Sequence, residues 1–316
     1  MESVRRAVID VGTNSIKLLV AEVAGREVRP VHEESRQTRL GQGFYETRRL
    51  QPEAIARTAE AVWEFAQTAR EKSSASIRVI ATSAARDAVN PGDLTTAIAR
   101  AADLKVEIIS GEREAEWVFQ GVNTDAELAK QPVLLLDVGG GSTEFILGQG
   151  VRQHFAQSFP LGTVRLLEKF PCSDPPTRGE FTACRDWVRN FLHGEVRPRL
   201  EPAMGREVKT GSATGEIQLV GTGGTTSILA RIEKKLDRFD RERIESTVLS
   251  REQVAARRKQ LWSLPLARRK EVAGLPKLRA DVILTGVVIY EVVMEEFDFK
   301  QLRVSTRGLR FAAVME

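Results

Sequence analysis

Val133-Leu134-Leu135-Leu136-Asp137-Val138-Gly139-Gly140-Gly141-Ser142-Thr143-Glu144-Phe145-Ile146-Leu147 is the stretch from which the fold is read. An apolar run delivers Asp137 to a triple-glycine turn, and a second apolar run leaves it after Glu144. Both runs are short and aliphatic or β-branched, which predicts two buried strands joined by a tight turn. Glycines at Gly139, Gly140 and Gly141 remove the Cβ atoms that would hold a bulky anion away, so backbone N–H groups can converge on phosphate oxygens. Asp137 and Glu144 flank the turn, where carboxylates can hold Mg²⁺ directly or through water. A plain β-hairpin with a Gly-rich turn is the alternative, because short motifs of this kind recur without function.

The same pattern occurs near the start of the chain. Val4 to Val11 reads as a strand carrying Asp10, Gly12-Thr13-Asn14-Ser15 as a turn, and Ile16 to Val23 as the returning strand. Asp10-Val11-Gly12-Thr13-Asn14-Ser15 aligns with Asp137-Val138-Gly139-Gly140-Gly141-Ser142. A repeat at so long a separation predicts a duplicated domain, since a solenoid repeats at a much shorter period.

Between and beyond the hairpins, strands alternate with helices, which predicts an α/β protein. Pro52 to Arg70 has the apolar spacing of an amphipathic helix with proline near its start. Glu112 to Gly121 is expected to be helical, just after Ser110-Gly111. The polar segment from Asn123 to Gln131 is the expected link, which gives domains at 1–126 and 127–316, with the last helix packing back on the first. In the second half, Thr177 to Leu192 reads as a helix and Pro198 to Gly215 as a loop rich in proline, glycine and charge. Glu216 to Val220 reads as a strand running into Gly221-Thr222-Gly223-Gly224-Thr225-Thr226, with a helix from Ser227. Asp281 to Phe297 reads as a core helix, Gln301 to Ser305 as an edge strand and Arg307 to Met315 as a last helix. The basic clusters at Lys234-Lys235, Arg238 to Arg243, Arg257-Arg258-Lys259 and Arg268-Arg269-Lys270 are ordinarily solvated helix faces, although a long polyanion could follow them.

Bulk composition narrows the class. The 316 residues are enough for two domains with proper cores, and 42% hydrophobic with 28% charged residues is ordinary for a soluble globular chain. A formal net charge of +4 suits a polyanionic ligand without requiring one. Cys172 and Cys184 lack metal-type spacing, and the scattered His32, His154 and His193 argue against a zinc site or a histidine-centred triad. No apolar run has transmembrane length and no signal peptide is evident, so a cytoplasmic protein with no membrane or nucleic-acid partner is expected. An isologous homodimer is the default expectation for a soluble enzyme.

The Asp10 turn, the Asp137 turn and the Gly221 loop come in the order used by the actin, hsp70 and sugar-kinase superfamily. Within it the chain resembles the exopolyphosphatase/guanosine pentaphosphate phosphohydrolase (Ppx/GppA) family. The matching text is Asp10 to Ser15, Ala81-Thr82-Ser83-Ala84-Ala85-Arg86-Asp87, Ile109-Ser110-Gly111-Glu112-Arg113-Glu114-Ala115-Glu116, Asp137 to Glu144, Pro160-Leu161-Gly162-Thr163-Val164-Arg165 and Asp281-Val282-Ile283. That resemblance implies two actin-like (ribonuclease H-like) domains with a central cleft, in the short form without extra helical domains. It also implies a hydrolase that removes terminal phosphate from inorganic polyphosphate, or from guanosine pentaphosphate (pppGpp), which would tie it to the stringent response.

By the same resemblance Glu114 matches the catalytic glutamate that activates water. Asp137, Glu144 and Asp10 match the acidic residues around Mg²⁺ or another divalent cation. Gly12, Thr13, Asn14 and Ser15, with Gly139, Gly140, Gly141, Ser142 and Thr143, would cradle phosphates, and Arg86 matches an arginine near the phosphate chain. Gly221, Gly223, Gly224 and Thr225 form either a nucleotide or phosphate loop or a tight strand–helix turn. Family members usually read Gly-Leu-Arg-Glu-Gly near the end, whereas Gly308-Leu309-Arg310 is followed here by Phe311, so no site is assigned there.

The residues alone leave alternatives beside each assignment. Glu112, Glu114 and Glu116 could simply complement a helix N-terminus. Asp137 could cap a turn, and Arg86 could serve as a surface ion-pair partner. Phosphoanhydride hydrolysis needs charge neutralisation, an in-line water and a base, which the duplicated turns and Glu114 can supply. A superfamily kinase using the Gly221 loop for ATP, and a sensor that holds polyphosphate or a guanine alarmone without turnover, are the competing functions.

Overall fold

The computed structural model describes residues 3–209 and 216–316. Contacts divide the chain into two units. The first comprises Met1–Thr124, Gly139–Gly141 and Arg307–Glu316, and the second Asp125–Val138 and Ser142–Thr306.

The first unit opens with the antiparallel meander β1 (Val4–Val11), β2 (Ile16–Ala24) and β3 (Glu27–Arg36). Helices α1 (Phe44–Thr47) and α2 (Pro52–Glu71) follow, then β4 (Ser76–Ala81), α3 (Ser83–Asp87), α4 (Pro91–Ala102), β5 (Val106–Ile108) and α5 (Gly111–Val122). The sheet order is β3-β2-β1-β4-β5, with β4 parallel to both β1 and β5. Proline opens α2 at a position where no backbone N–H is required. Its buried face, including Ile55, Val62, Phe65 and Ala69, joins Ile9, Leu18 and Val20 of the sheet in one core.

The second unit repeats this plan. Its strands are β6 (Val133–Val138), β7 (Thr143–Gln149), β8 (Arg152–Phe159), β9 (Gln218–Thr222), β10 (Val248–Ser250) and β11 (Gln301–Val304), in the order β10-β11-β9-β6-β7-β8. Leaving β10 aside, a meander of three strands is again followed by two parallel ones, here β9 beside β6 and β11 beside β9. Even the irregularity recurs. The pairing register shifts between Val20 and Ala21 in β2 and between Leu147 and Gly148 in β7, which are equivalent positions of the two hairpins. A bulge kept at the same residue of both halves is a feature of the plan rather than a defect.

The helices of this unit are α6 (Thr163–Lys169), α7 (Arg178–Phe191), α8 (Arg197–Lys209), α9 (Gly223–Lys234), α10 (Arg241–Glu245), α11 (Arg251–Trp262), α12 (Leu266–Arg269) and α13 (Ile283–Glu296). From Ile283 to Met294, α13 is buried on every side, as expected of a helix that is apolar all round. The last helix, α14 (Leu309–Ala313), groups with the first unit. Arg310 Nη1 there donates to Leu18 O at 2.8 Å, and Arg6 Nη1 donates to Met315 O at 2.8 Å.

Four sequence expectations need correction. The stretch expected to be a loop from Pro198 is α8, reached from α7 through a π-helical turn at Leu192–Val196. Leu192, Val196, Leu200 and Ala203 are buried in the core at helical spacing, and that apolar stripe outweighs the prolines. Residues 210–215 of that stretch lie outside the described residues. Secondly, β11 is no edge strand, because it lies between β9 and β10. Thirdly, α9 begins at Gly223 rather than Ser227, so Gly223, Gly224 and Thr225 are its first turn and Gly221 belongs to β9.

Finally, part of the basic cluster on α11 is not a solvated face. Arg257 Nη2 reaches Glu233 at 2.8 Å, and Arg258 binds Glu291 of α13 through Nε and Nη2 at 2.9–3.0 Å. Glu291 is only 1% exposed, so the buried carboxylate needs that cation.

Candidate active site

In the first unit, β1 ends by carrying Asp10 into the turn Gly12–Ser15. Asp10 is 4% exposed and its Oδ1 has no hydrogen-bond partner in the protein. Burial raises its carboxyl above the ordinary value, opposed by the charges of Lys17, its cross-strand neighbour, and Arg310. The turn is held from behind, with Arg39 N donating to Asn14 O at 3.0 Å, Gly41 N to Thr13 O at 2.8 Å and Gln37 Nε2 to Asn14 Oδ1 at 3.0 Å. That bracing leaves buried side-chain donors without a protein acceptor, among them Asn14 Nδ2, Ser15 Oγ and, at the start of α3, Ser83 Oγ. Buried polar groups in native proteins normally have partners, so such a set calls for a ligand or ordered water.

The Gly139–Gly141 turn groups with these residues. A Cβ added at Gly141 would lie 2.4 Å from Ser83 Oγ and 3.0 Å from Thr13 Oγ1. No residue larger than glycine fits there without displacing the hydroxyls.

Glu114 and Arg86 are brought together. Arg86 Nη1, on α3, donates to Glu114 Oε2 at 2.9 Å and to Ile109 O at 3.2 Å. Glu114, in the first turn of α5, is 7% exposed, whereas Glu112 is exposed and Glu116 half-buried. Hydrogen bonds from its own backbone N–H and from Ser110 hold the Glu112 carboxyl below its ordinary value, the behaviour of a helix N-terminal acid. Glu116 is tied to Arg113 at 2.9 Å. Burial therefore singles out Glu114 from its two neighbours.

In the second unit Asp137 and Glu144 are directly opposed across the β6–β7 ladder. Glu144 is 1% exposed, and its Oε1 accepts from Ser158 Oγ at 2.7 Å. Thr143 donates its hydroxyl to Leu161 O and is fully buried, so that side chain braces the turn before α6. Ser142 is buried beside it. Beneath Asp137, the hydroxyl of Tyr290 on α13 lies 3.2 Å from Leu136 O and 3.3 Å from Thr222 O, and it can donate to either strand.

Gly223 explains the glycine-rich text after β9. Its φ of +89° belongs to glycine, and a Cβ there would stand 2.4 Å from Asp137 Oδ1. Asp137 thus rests against the first turn of α9, where backbone N–H groups and the helix dipole favour negative charge. Arg279 adds a cation that the sequence reading missed. Its guanidinium nitrogens lie 3.8 Å from the Cβ position at Gly224. Its signal was an arginine two residues before the family-like Asp281-Val282-Ile283.

The donor set suits Mg²⁺. No group of three or more His, Cys, Asp or Glu placed to hold a metal occurs among the described residues. Mg²⁺ takes one or two carboxylates and fills its shell with water and phosphate oxygens, so the opposed pair Asp137 and Glu144 is adequate.

Comparison with known proteins decides the family. A model of the Ppx/GppA phosphatase family matches residues 19–315. This chain belongs to the Ppx/GppA phosphatase family. Exopolyphosphatase 2 of Mycobacterium tuberculosis is 36% identical over 305 residues, covering 94% of this chain and 92% of that protein. The guanosine-5'-triphosphate,3'-diphosphate pyrophosphatase of Photobacterium profundum is 30% identical over 312 residues, covering 98% of this chain and 58% of its own length. The crystal structure of an exopolyphosphatase from Cytophaga hutchinsonii superposes with a TM-score of 0.83 at 29% identity, covering 98% of this chain and 96% of that one. Membership places the Ppx/GppA chain described here among phosphoanhydride hydrolases, with the two-domain actin-like α/β fold. No helix among the described residues is long and apolar enough to cross a membrane.

Proposed function

We propose that this chain is a cytoplasmic, Mg²⁺-dependent exopolyphosphatase that releases terminal phosphate from inorganic polyphosphate by water attack. The reading is carried by the buried, unpartnered donors Asn14 Nδ2, Ser15 Oγ and Ser83 Oγ, with Ser83 sharing α3 with the Arg86 that binds Glu114. These donors, with the backbone of the two turns, bind the oxygens of the terminal phosphate. Arg86 fixes the orientation of the Glu114 carboxylate, which takes a proton as water oxygen bonds to phosphorus. The bridging P–O bond breaks, and the shortened chain leaves with the electron pair. Asp137 and Glu144 would hold the divalent cation, which would supply charge neutralisation at the phosphate oxygens.

The second reading is a pppGpp 5'-phosphohydrolase, favoured by the Photobacterium relative at 30% identity over 312 residues. Initial rates of phosphate release from long-chain polyphosphate and from pppGpp decide between them. Faster release from polyphosphate, lost on chelation and restored by Mg²⁺, is expected; faster release from pppGpp would install the second reading. Tight binding without release from either, or phosphate transfer from ATP to an acceptor, would overturn both.

A further inference from the structure

We propose that the cage formed by Arg78, Trp117 and Arg113 is a second oxyanion site, for an anion of the phosphate class, which Glu316 fills from within. Arg113 Nη2 donates to both carboxylate oxygens of Glu316, at 2.6 and 2.7 Å. Trp117 Nε1 donates to Oε1 at 2.9 Å, and Arg78 Nη1 to Oε2 at 3.3 Å. The two guanidinium groups lie over the indole of Trp117, at 4.8 Å for Arg78 and 4.6 Å for Arg113. Two cations held over one buried ring, with an indole N–H that donates to the same carboxylate, form a set of donors for a tri- or tetrahedral anion. Burial raises the Glu316 carboxyl, but the hydrogen bonds from Trp117, Arg78 and Arg113 and the charge of Arg113 together hold that group below its ordinary value.

The surroundings also favour an anion. A cavity of about 570 Å³ adjoins the cage, lined in part by Arg6, Arg78, Lys105, Glu107 and Glu316. Arg78 is shared with Glu107 at 2.8 Å, and Arg113 with Glu116 at 2.9 Å. When Glu316 swings out, four cations (Arg6, Arg78, Lys105, Arg113) face two carboxylates (Glu107, Glu116), and the excess positive charge is left to an incoming anion. The place is distinct from the candidate active site. The cavity borders the starting residues of β1, β4 and β5, whereas Asp10, Ser83 and Arg86 lie at or beyond the opposite ends of β1 and β4. It adjoins the active-site helix all the same, because Arg113 precedes Glu114 in the first turn of α5.

Inorganic phosphate titrated at constant ionic strength, with tryptophan emission as the readout, tests the site without requiring turnover. Glu316→Ala and Glu316→Gln are expected to show a saturable emission change at phosphate concentrations roughly ten-fold below those needed by the parent, because the internal competitor no longer occupies the cage. The change is expected to vanish when Trp117→Phe or Arg113→Met is added to Glu316→Ala. Flat emission from a folded Glu316→Gln protein, or a change that survives Trp117→Phe, would overturn the proposal and leave the cage as a latch for the last helix. If Glu316→Ala fails to fold, Glu316→Gln, which keeps the side-chain length, decides alone.

Discussion

Glu114 is one of three glutamates within five residues, and spacing alone gave them equal claims. Burial separates them, since only Glu114 turns inward to meet Arg86. Glu114→Gln keeps the shape and removes the base. Its kcat for phosphate release is expected to fall by about 10²-fold or more, in line with general-base contributions, while the thermal midpoint stays near that of the parent. A variant retaining full kcat would remove Glu114 from the mechanism. The residue types of the site were thus legible in the text of the chain, but their pairings were not. That Arg86 binds Glu114 depends on how α3 and α5 leave β4 and β5. That Thr143 spends its hydroxyl on Leu161 O depends on a turn beyond β8. Arg279 escaped notice because it stands in a short turn before an apolar helix, far in sequence from the glycines it approaches.

At the scale of elements, periodicity was a good guide wherever punctuation agreed with it. The start of α7 is such a place, with Thr177 and Glu180 forming a reciprocal capping box. Glu180 also accepts from Ser173 N and Ser173 Oγ, both at 2.8 Å. These bonds, chiefly from the Thr177 and Ser173 backbone, lower its carboxyl from the ordinary 4.5 to about 2. A depressed folded value means that the bonds stabilise the fold fully above the unfolded value and cease to do so as pH falls through the folded one. Glu180→Gln is therefore expected to melt below the parent at neutral pH, with the gap closing between about pH 4.5 and about pH 2. A gap that persists unchanged at pH 2, read by circular dichroism, would show that the carboxylate charge is not what matters. Where punctuation and periodicity disagreed, at Pro198 and Pro202, the burial of Leu200 and Ala203 prevailed over the prolines. Strand order was less legible still, because β11 gains its inner place by pairing with β9, distant in sequence.

At the scale of the molecule, the duplication visible in two short hairpins extends to five strands of each sheet and to the bulge between the second and third strands of each meander. Each unit has its own core. The Arg258–Glu291 pair, roofed by Phe181 at 4.4 Å from the guanidinium, belongs to the second core alone. Glu291→Ala strands Arg258 and is expected to cost about 3–5 kcal/mol, whereas Arg258→Met with Glu291→Leu should cost far less. Chemical denaturation gives the size of the effect. Hydrogen exchange is expected to place the loss of protection in β6 to β11 and α6 to α13, sparing β1 to β5; loss spread evenly over both would contradict separate cores.

The route of the chain has a consequence for biosynthesis. The first unit takes its last helix, and the Glu316 that enters the Arg113 cage, from the final residues of the sequence. A ribosome adding about 5–20 residues per second completes β1 to α5 and then needs on the order of ten seconds or more to deliver α14. During that interval the nascent first unit exposes the flank of α5 and the Trp117 indole that the tail later covers, while the second unit is already assembling. Residues 3–122 thus wait for residues 307–316 to complete their unit, and a chaperone that binds exposed apolar chain would find its target there.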